Sequence, residues 1–240
     1  MTSNHWVSFW GLEAAVTAPA MPQRMCCATC LRPASACICA WARPVAHQVE
    51  VLILQHPLEA DNPKGSARLL HLCLPRSRLL TGEVFTDQDL LVVPGAAQAA
   101  GKPRRSVLLY PDMPQDRALG IAAPPALPPE CLREPSSLRL IVLDGTWRKS
   151  RKMLYLNPVL QSLPRLSLQG LPPSSYRIRK AHQADQLSTL EATCAALVQL
   201  EGDVDKFQPL LTAFDGFVAQ QLGYLPRSTV AAIGTPAGAA

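Results

Sequence analysis

The 240 residues contain no apolar run near the roughly 20 that a membrane-crossing helix needs, so no membrane association is expected. The N-terminus, MTSNHWVSFWGLEAAVTAPA, lacks the basic start of a signal peptide and carries Glu13 where such a peptide is apolar. A cytoplasmic protein is the reading that follows. Charge is scarce as well: 17% of residues are Asp, Glu, Lys or Arg, against about a quarter in an average domain. The net charge of +5 permits a polyanionic partner without requiring one.

Several catalytic signatures are missing. No G-x-G-x-x-G follows a strand, and there is no G-x-S-x-G or H-E-x-x-H. The segment GAAQAAGKP (residues 95–103) imitates a phosphate-binding loop. However, Gly95 and Gly101 are one residue too far apart, and Pro103 stands where Ser or Thr is required. No internal repeat is present. Common dinucleotide, P-loop, serine-hydrolase and zincin chemistries are therefore set aside.

What is present begins with cysteine. Five of the eight cysteines lie between Cys26 and Cys39, while Cys73, Cys131 and Cys194 sit singly in apolar contexts and are expected in the core. In a reducing compartment a cluster points to metal before disulfides. Cys27-x2-Cys30-x6-Cys37-x-Cys39 offers four thiolates in a span too short for a core of its own. That donor set suits a structural Zn²⁺, with Cys26 as a possible substitute ligand.

Downstream, strands alternate with helices. Residues 48–55 (QVEVLILQ), 77–80, 106–110, 138–144 and 165–168 read as strands. Residues 66–74, 146–156, 187–202 and 204–222 read as helices, the third opening on a Ser188/Glu191 capping box. This order implies an α/β domain with a mostly parallel sheet. Residues 1–24 are expected to be a flexible extension, 25–40 a zinc segment, 41–228 the main α/β domain and 229–240 a disordered tail.

The sharpest feature is LRLIVLDGTWRKSRKM (residues 138–153). A buried strand ends on Asp144, and Arg148, Lys149, Arg151 and Lys152 follow within a turn or two. Ligands gather at the carboxyl ends of strands in open α/β sheets. Asp144 is therefore either a helix cap or a chemical group, and the cations either a solvated face or a phosphate contact.

Three segments, QHPLEADNPKGSARLL (55–70), LDGTWRKSRKML (143–154) and SSYRIRKAHQADQLSTLEA (174–192), together with the cysteines, resemble the DTW-domain family, named for Asp-x-Thr-Trp. Here that motif is Asp144-Gly145-Thr146-Trp147. The resemblance implies a tRNA-uridine aminocarboxypropyltransferase with a SPOUT-like, knotted α/β fold. Such an enzyme moves the 3-amino-3-carboxypropyl group of S-adenosylmethionine to uridine N3 in tRNA and releases methylthioadenosine. Uracil N3–H is a weak acid, and Asp144 is the acid of the motif, so Asp144 is expected to be the base. Leu143, Thr146, Trp147, Ser188, Thr189 and Glu191 are expected to bind the donor, Trp147 as a flat wall and the helix opening at Ser188 as a seat for its carboxylate. Arg148, Lys149, Lys152, Tyr176, Arg177 and Arg179 are expected to meet RNA, and His56, Glu59 and Arg68 to shape the pocket.

Two rival readings remain at this stage: a SPOUT-type RNA methyltransferase using the same donor, and a non-catalytic zinc-containing RNA-binding protein. The oligomeric state is left open, with a monomer preferred.

Overall fold

The computed structural model describes residues 25–91, 104–168 and 187–225. The expected extension (1–24), the expected tail (229–240) and the candidate RNA contacts Tyr176, Arg177 and Arg179 lie outside the described residues, as does the side chain of Cys131.

Among the described residues, five parallel strands form one sheet: β1 (Glu50–Gln55), β2 (Ser77–Thr81), β3 (Arg105–Leu109), β4 (Leu138–Asp144) and β5 (Arg165–Leu166). Their order is β2-β1-β4-β3-β5. Seven α-helices accompany them among the described residues: α1 (Pro57–Ala60), α2 (Ala67–Cys73), α3 (Asp87–Leu91), α4 (Trp147–Leu156), α5 (Pro158–Gln161), α6 (Thr189–Glu201) and α7 (Val204–Gly223). All five expected strands and all four expected helices are present, the fifth strand shortened to two residues. The short helices α1, α3 and α5 were not anticipated, because four or five residues carry too little periodicity to register. No described helix is long and apolar enough to cross a membrane.

Every residue of β1 and β4 is buried, which is why both read as continuous apolar runs and not as alternating ones. Successive side chains point to opposite faces. Val51, Ile53, Leu140 and Val142 meet α2, α6 and α7 on one face, where Phe207, Phe214 and Phe217 fill the layer. Leu52, Leu54, Ile141 and Leu143 meet Met153, Leu154 and Leu160 of α4 and α5 on the other. Cys73 and Cys194 are buried on the first face, as expected.

The cysteine segment has no core of its own and leans on that same face. Ile38 is fully buried there, and Trp41 packs against Gly216 of α7. A Cβ on Gly216 would stand 2.2 Å from the Trp41 ring, so only glycine admits this contact. Gln220 on α7 accepts from the Trp41 indole N–H and donates to the Cys37 carbonyl at 3.1 Å.

Candidate functional site

The strand order reverses between β1 and β4, which opens a crevice above their carboxyl ends. The register sets Gln55 beside Asp144 as the last residue of each strand. Asp144 is 5% exposed. Its Oδ2 accepts from Gln55 Nε2 at 2.9 Å, and its Oδ1 accepts from Thr189 Oγ1 at 2.6 Å. The acid is thus not an N-cap: Thr146 caps α4 by accepting from the Lys149 N–H. The strand end, its neighbour and the opening of α6 jointly orient the carboxylate.

A polar cleft lies over it. The β1–α2 connection contributes Glu59, Asn62, Lys64, Gly65 and Ser66, the β4–α4 turn contributes Gly145, and α6 contributes Ser188 and Thr189. Gly145 serves the protein's own packing more than a ligand: a Cβ there would meet the Lys149 Cβ at 3.1 Å, so glycine lets α4 begin directly behind the acid.

Several expected site residues sit elsewhere. The Leu143 side chain belongs to the core under α4. Arg68 lies partly buried on the first turn of α2, outside the cleft. His56 caps α1 through Nδ1, which accepts from the Leu58 N–H, and its Nε2 stands 2.6 Å from Glu83 Oε1. It is not among the residues that line the cleft, and it braces the loop after β2. Trp147 is 49% exposed, stacked edge-on against Tyr110 with centroids 5.8 Å apart. It is neither core nor cleft lining, but an open aromatic face at the start of α4.

The cationic run is largely committed to acids. Lys149 Nζ is 2.7 Å from Glu59 Oε1, Lys152 Nζ is 2.7 Å from Glu83 Oε2, and Arg151 Nε is 3.0 Å from Asp116 Oδ1. Lys152 is the first cause of a lowered Glu83 pKa, followed by His56. Arg148 is exposed beside Trp147. The opening of α6 is committed too. The Ser188 N–H donates to Glu191 Oε2, the Glu191 N–H to Ser188 Oγ, and the Leu190 N–H to Ser66 Oγ at 3.3 Å. A carboxylate seated on those N–H groups would have to displace existing partners, which corrects the expectation of an exposed helix start.

At the other site the four sulfurs of Cys27, Cys30, Cys37 and Cys39 all lie within 4.8 Å of one another. Cys27–Cys39 and Cys30–Cys37 are each 3.7 Å apart. A tetrahedron of thiolates around Zn²⁺ has sulfur–sulfur edges of about 3.8 Å, so the quartet fits a metal ion. The Cys27 thiol is lowered to about 6, first by the Cys30 backbone N–H and then by that of Thr29. Cys39 is pushed up to about 12, first by burial and then by its neighbouring thiols. Four such groups cannot all ionise without a cation among them. Cys26 is exposed and is not one of the four.

Sequence reasoning missed Gln55, Asn62, Lys64 and Ser66. Gln55 carried a readable signal, since a polar residue closing the apolar run Val51–Leu54 repeats the logic that singled out Asp144.

The sequence model of the DTW domain matches residues 24–222. The chain belongs to the DTW-domain family. Among its family relatives, tRNA-uridine aminocarboxypropyltransferase 2 of mouse is 26% identical over 179 residues, covering 73% of this chain and 56% of the mouse protein. The Drosophila melanogaster protein of the same name is 26% identical over 233 residues, covering 92% and 83%. tRNA-uridine aminocarboxypropyltransferase A of Arabidopsis thaliana is 26% identical over 228 residues, covering 85% and 83%. This DTW-domain chain thus spans little more than half the length of the mouse relative. No solved structure is a significant match.

Proposed function

We propose that this chain transfers the 3-amino-3-carboxypropyl group of S-adenosylmethionine to N3 of a uridine in tRNA. The observation that carries the reading is Asp144. It is the first residue of the family's motif, buried at the switch point of the sheet and held by two hydrogen bonds from Gln55 and Thr189. The names of the relatives supply the reaction.

In this mechanism Asp144 accepts the N3 proton as the N3–carbon bond forms. The carbon–sulfur bond breaks with its electron pair leaving on sulfur, and methylthioadenosine departs. A sulfonium leaves readily, so the protein's main contribution is alignment of uracil with the donor carbon. Ser188 and Thr189 on one wall and Lys64 on the other supply hydroxyls and a cation for the donor's amino-acid end. Trp147 offers its open face to a base or to the donor's adenine, and Arg148 beside it contacts phosphate. Lys149 and Lys152 act on RNA through the acids they neutralise, since Glu59 and Glu83 would otherwise repel phosphate. Glu191 and Thr146 fix the helices on which these groups stand. Tyr176, Arg177 and Arg179 extend the RNA surface in this reading.

The thiolate quartet holds structural zinc. A thiolate quartet of this kind suits a reducing, cytoplasmic setting. A SPOUT-like, knotted form of the parallel sheet is part of this reading.

The experiment is nucleoside mass analysis of tRNA after incubation with S-adenosylmethionine. An aminocarboxypropylated uridine is expected with the wild type and not with Asp144→Asn. A methylated nucleoside instead, or equal product from both proteins, would overturn the reaction or the base assignment respectively.

A further inference from the structure

The thiolate quartet and the Asp144 cleft are physically joined through one side chain. Arg32 follows Cys30 by two residues, and its backbone is part of the cysteine knuckle: the Cys27 N–H donates to the Arg32 carbonyl at 2.8 Å. Between them, Leu31 adopts φ 60°, a left-handed conformation that non-glycine residues rarely hold, and its N–H donates to the Cys27 carbonyl. That turn sends the Arg32 side chain out of the knuckle. The guanidinium lies 5.1 Å from the centre of the Phe217 ring on α7. It ends on the connection that forms one wall of the cleft, where Nη1 donates to the Pro63 carbonyl at 2.6 Å and Nη2 to the Gly65 carbonyl at 2.9 Å. Asn62, Lys64, Gly65 and Ser66 of that connection line the cleft.

We infer that Arg32 is a positioning residue that clamps the Pro63–Gly65 wall to the thiolate cluster, so that metal occupancy sets the shape of the donor cleft. The inference rests on the function proposed above for what the cleft binds, but not for the clamp itself. A planar fork reaching two carbonyls two residues apart fixes a loop in both position and orientation, which a lysine's single ammonium does less well. The loop's own bonds are short-range: the Gly65 N–H donates to the Asn62 carbonyl and the Lys64 N–H to Asn62 Oδ1. Ser66 ties the far end of the wall to α6 by accepting from the Leu190 N–H, and Arg32 ties Pro63 and Gly65 to the cysteine segment. When the knuckle is folded around metal, Arg32 is held at its backbone and the wall is held with it. When the knuckle loosens, the clamp is lost although Asp144, Gln55 and Thr189 stay in place on the sheet and α6.

The test uses the full chain, as wild type, Arg32→Ala and Arg32→Lys, each with metal content measured. Amide hydrogen exchange reports the loop directly, and calorimetry reports S-adenosylmethionine affinity. With metal retained, Arg32→Ala is expected to lose protection at Lys64 and Gly65 and to bind the donor about tenfold more weakly, a typical intersite coupling. Arg32→Lys is expected to recover part of both. Chelating the wild type should reproduce the Arg32→Ala loop exchange and affinity, and chelating Arg32→Ala should add little, because the two perturbations break the same connection. Unchanged exchange at Lys64 and Gly65 in metal-loaded Arg32→Ala would overturn the clamp, whatever the affinity does. Wild type that binds no S-adenosylmethionine, yet shows the expected exchange changes, would refute the proposed donor and leave the clamp standing.

Discussion

The two ends of the same pair of strands treat a buried carboxylate in opposite ways. At the amino end of β1, Glu50 faces Arg139 of β4 at 2.8 Å, and Arg104 approaches at 3.3 Å. Arg139 is itself closed off, with its Nη1 donating to the Leu90 carbonyl. At the carboxyl end the register partner of Asp144 is Gln55, and the partners described for the acid are an amide and a hydroxyl. A buried carboxylate paired with guanidinium joins two strands and serves the fold. Asp144, which accepts from an amide and a hydroxyl, lies beneath the cleft, where the proposed function has it accept a proton. Burial alone does not separate the two, since Glu50 and Asp144 are almost equally buried. Their places do: Glu50 lies against two arginines at one end of the strands, and Asp144 lines the cleft at the other.

The largest break in that comparison should come from Asp144→Asn. Turnover is expected to fall by about 10²–10⁴-fold, the usual worth of a positioned general base, while the melting temperature changes little. Arg139→Met is the converse. It leaves Glu50 buried beside a lost partner and should cost about 3–5 kcal/mol of stability in denaturant unfolding, with activity per folded molecule retained. If Asp144→Asn unfolds the protein and Arg139→Met does not, the assignment of the two ends is reversed.

Gln55→Leu should be milder. Removing one hydrogen bond to the Asp144 carboxylate is expected to lower kcat about tenfold, with tRNA affinity unchanged, because Gln55 is buried against Asp144. A variant that loses tRNA binding instead would assign Gln55 a different task.

The smallest effect concerns pH and again contrasts the two ends. His47, near the amino end, is held below the usual histidine range, first by burial. Its Nδ1 and Nε2 engage the Val49 carbonyl and the Arg76 N–H, an arrangement that needs the neutral ring. A depressed pKa contributes stability that is fully present above the unfolded value of about 6.5 and is lost as pH falls through the folded value. His71 shifts the same way for the same first cause. Melting temperature should therefore decline as pH is lowered from about 7.5 towards about 5, and a flat profile would contradict the neutral assignment. On the cleft side, Arg148→Ala should weaken tRNA binding modestly and reduce its salt slope by about one.

Much of this was legible in the residues. The boundaries of β4 and the Ser188/Glu191 capping box could be read directly, because a seven-residue apolar run closed by an acid and a spaced Ser/Glu pair are local signals. The four metal-fitting cysteines were readable from spacing for the same reason. What escaped was tertiary. Lys149, Lys152 and Arg151 read as a free basic face because their acid partners Glu59, Glu83 and Asp116 are remote in sequence. His56 read as pocket-forming because it follows β1, yet its ring turns towards Glu83. Arg32 carried no signal at all, since a lone arginine in a cysteine loop does not reveal that it reaches Pro63 and Gly65.

The most direct measurement of the central claim is the identity of the donor's co-product. Pure protein is incubated with S-adenosylmethionine, with and without unmodified bulk tRNA, and the small molecules are separated. Methylthioadenosine that accumulates only with tRNA, and not with Asp144→Asn, is the predicted result. S-adenosylhomocysteine in its place would make the chain a methyltransferase and contradict the account.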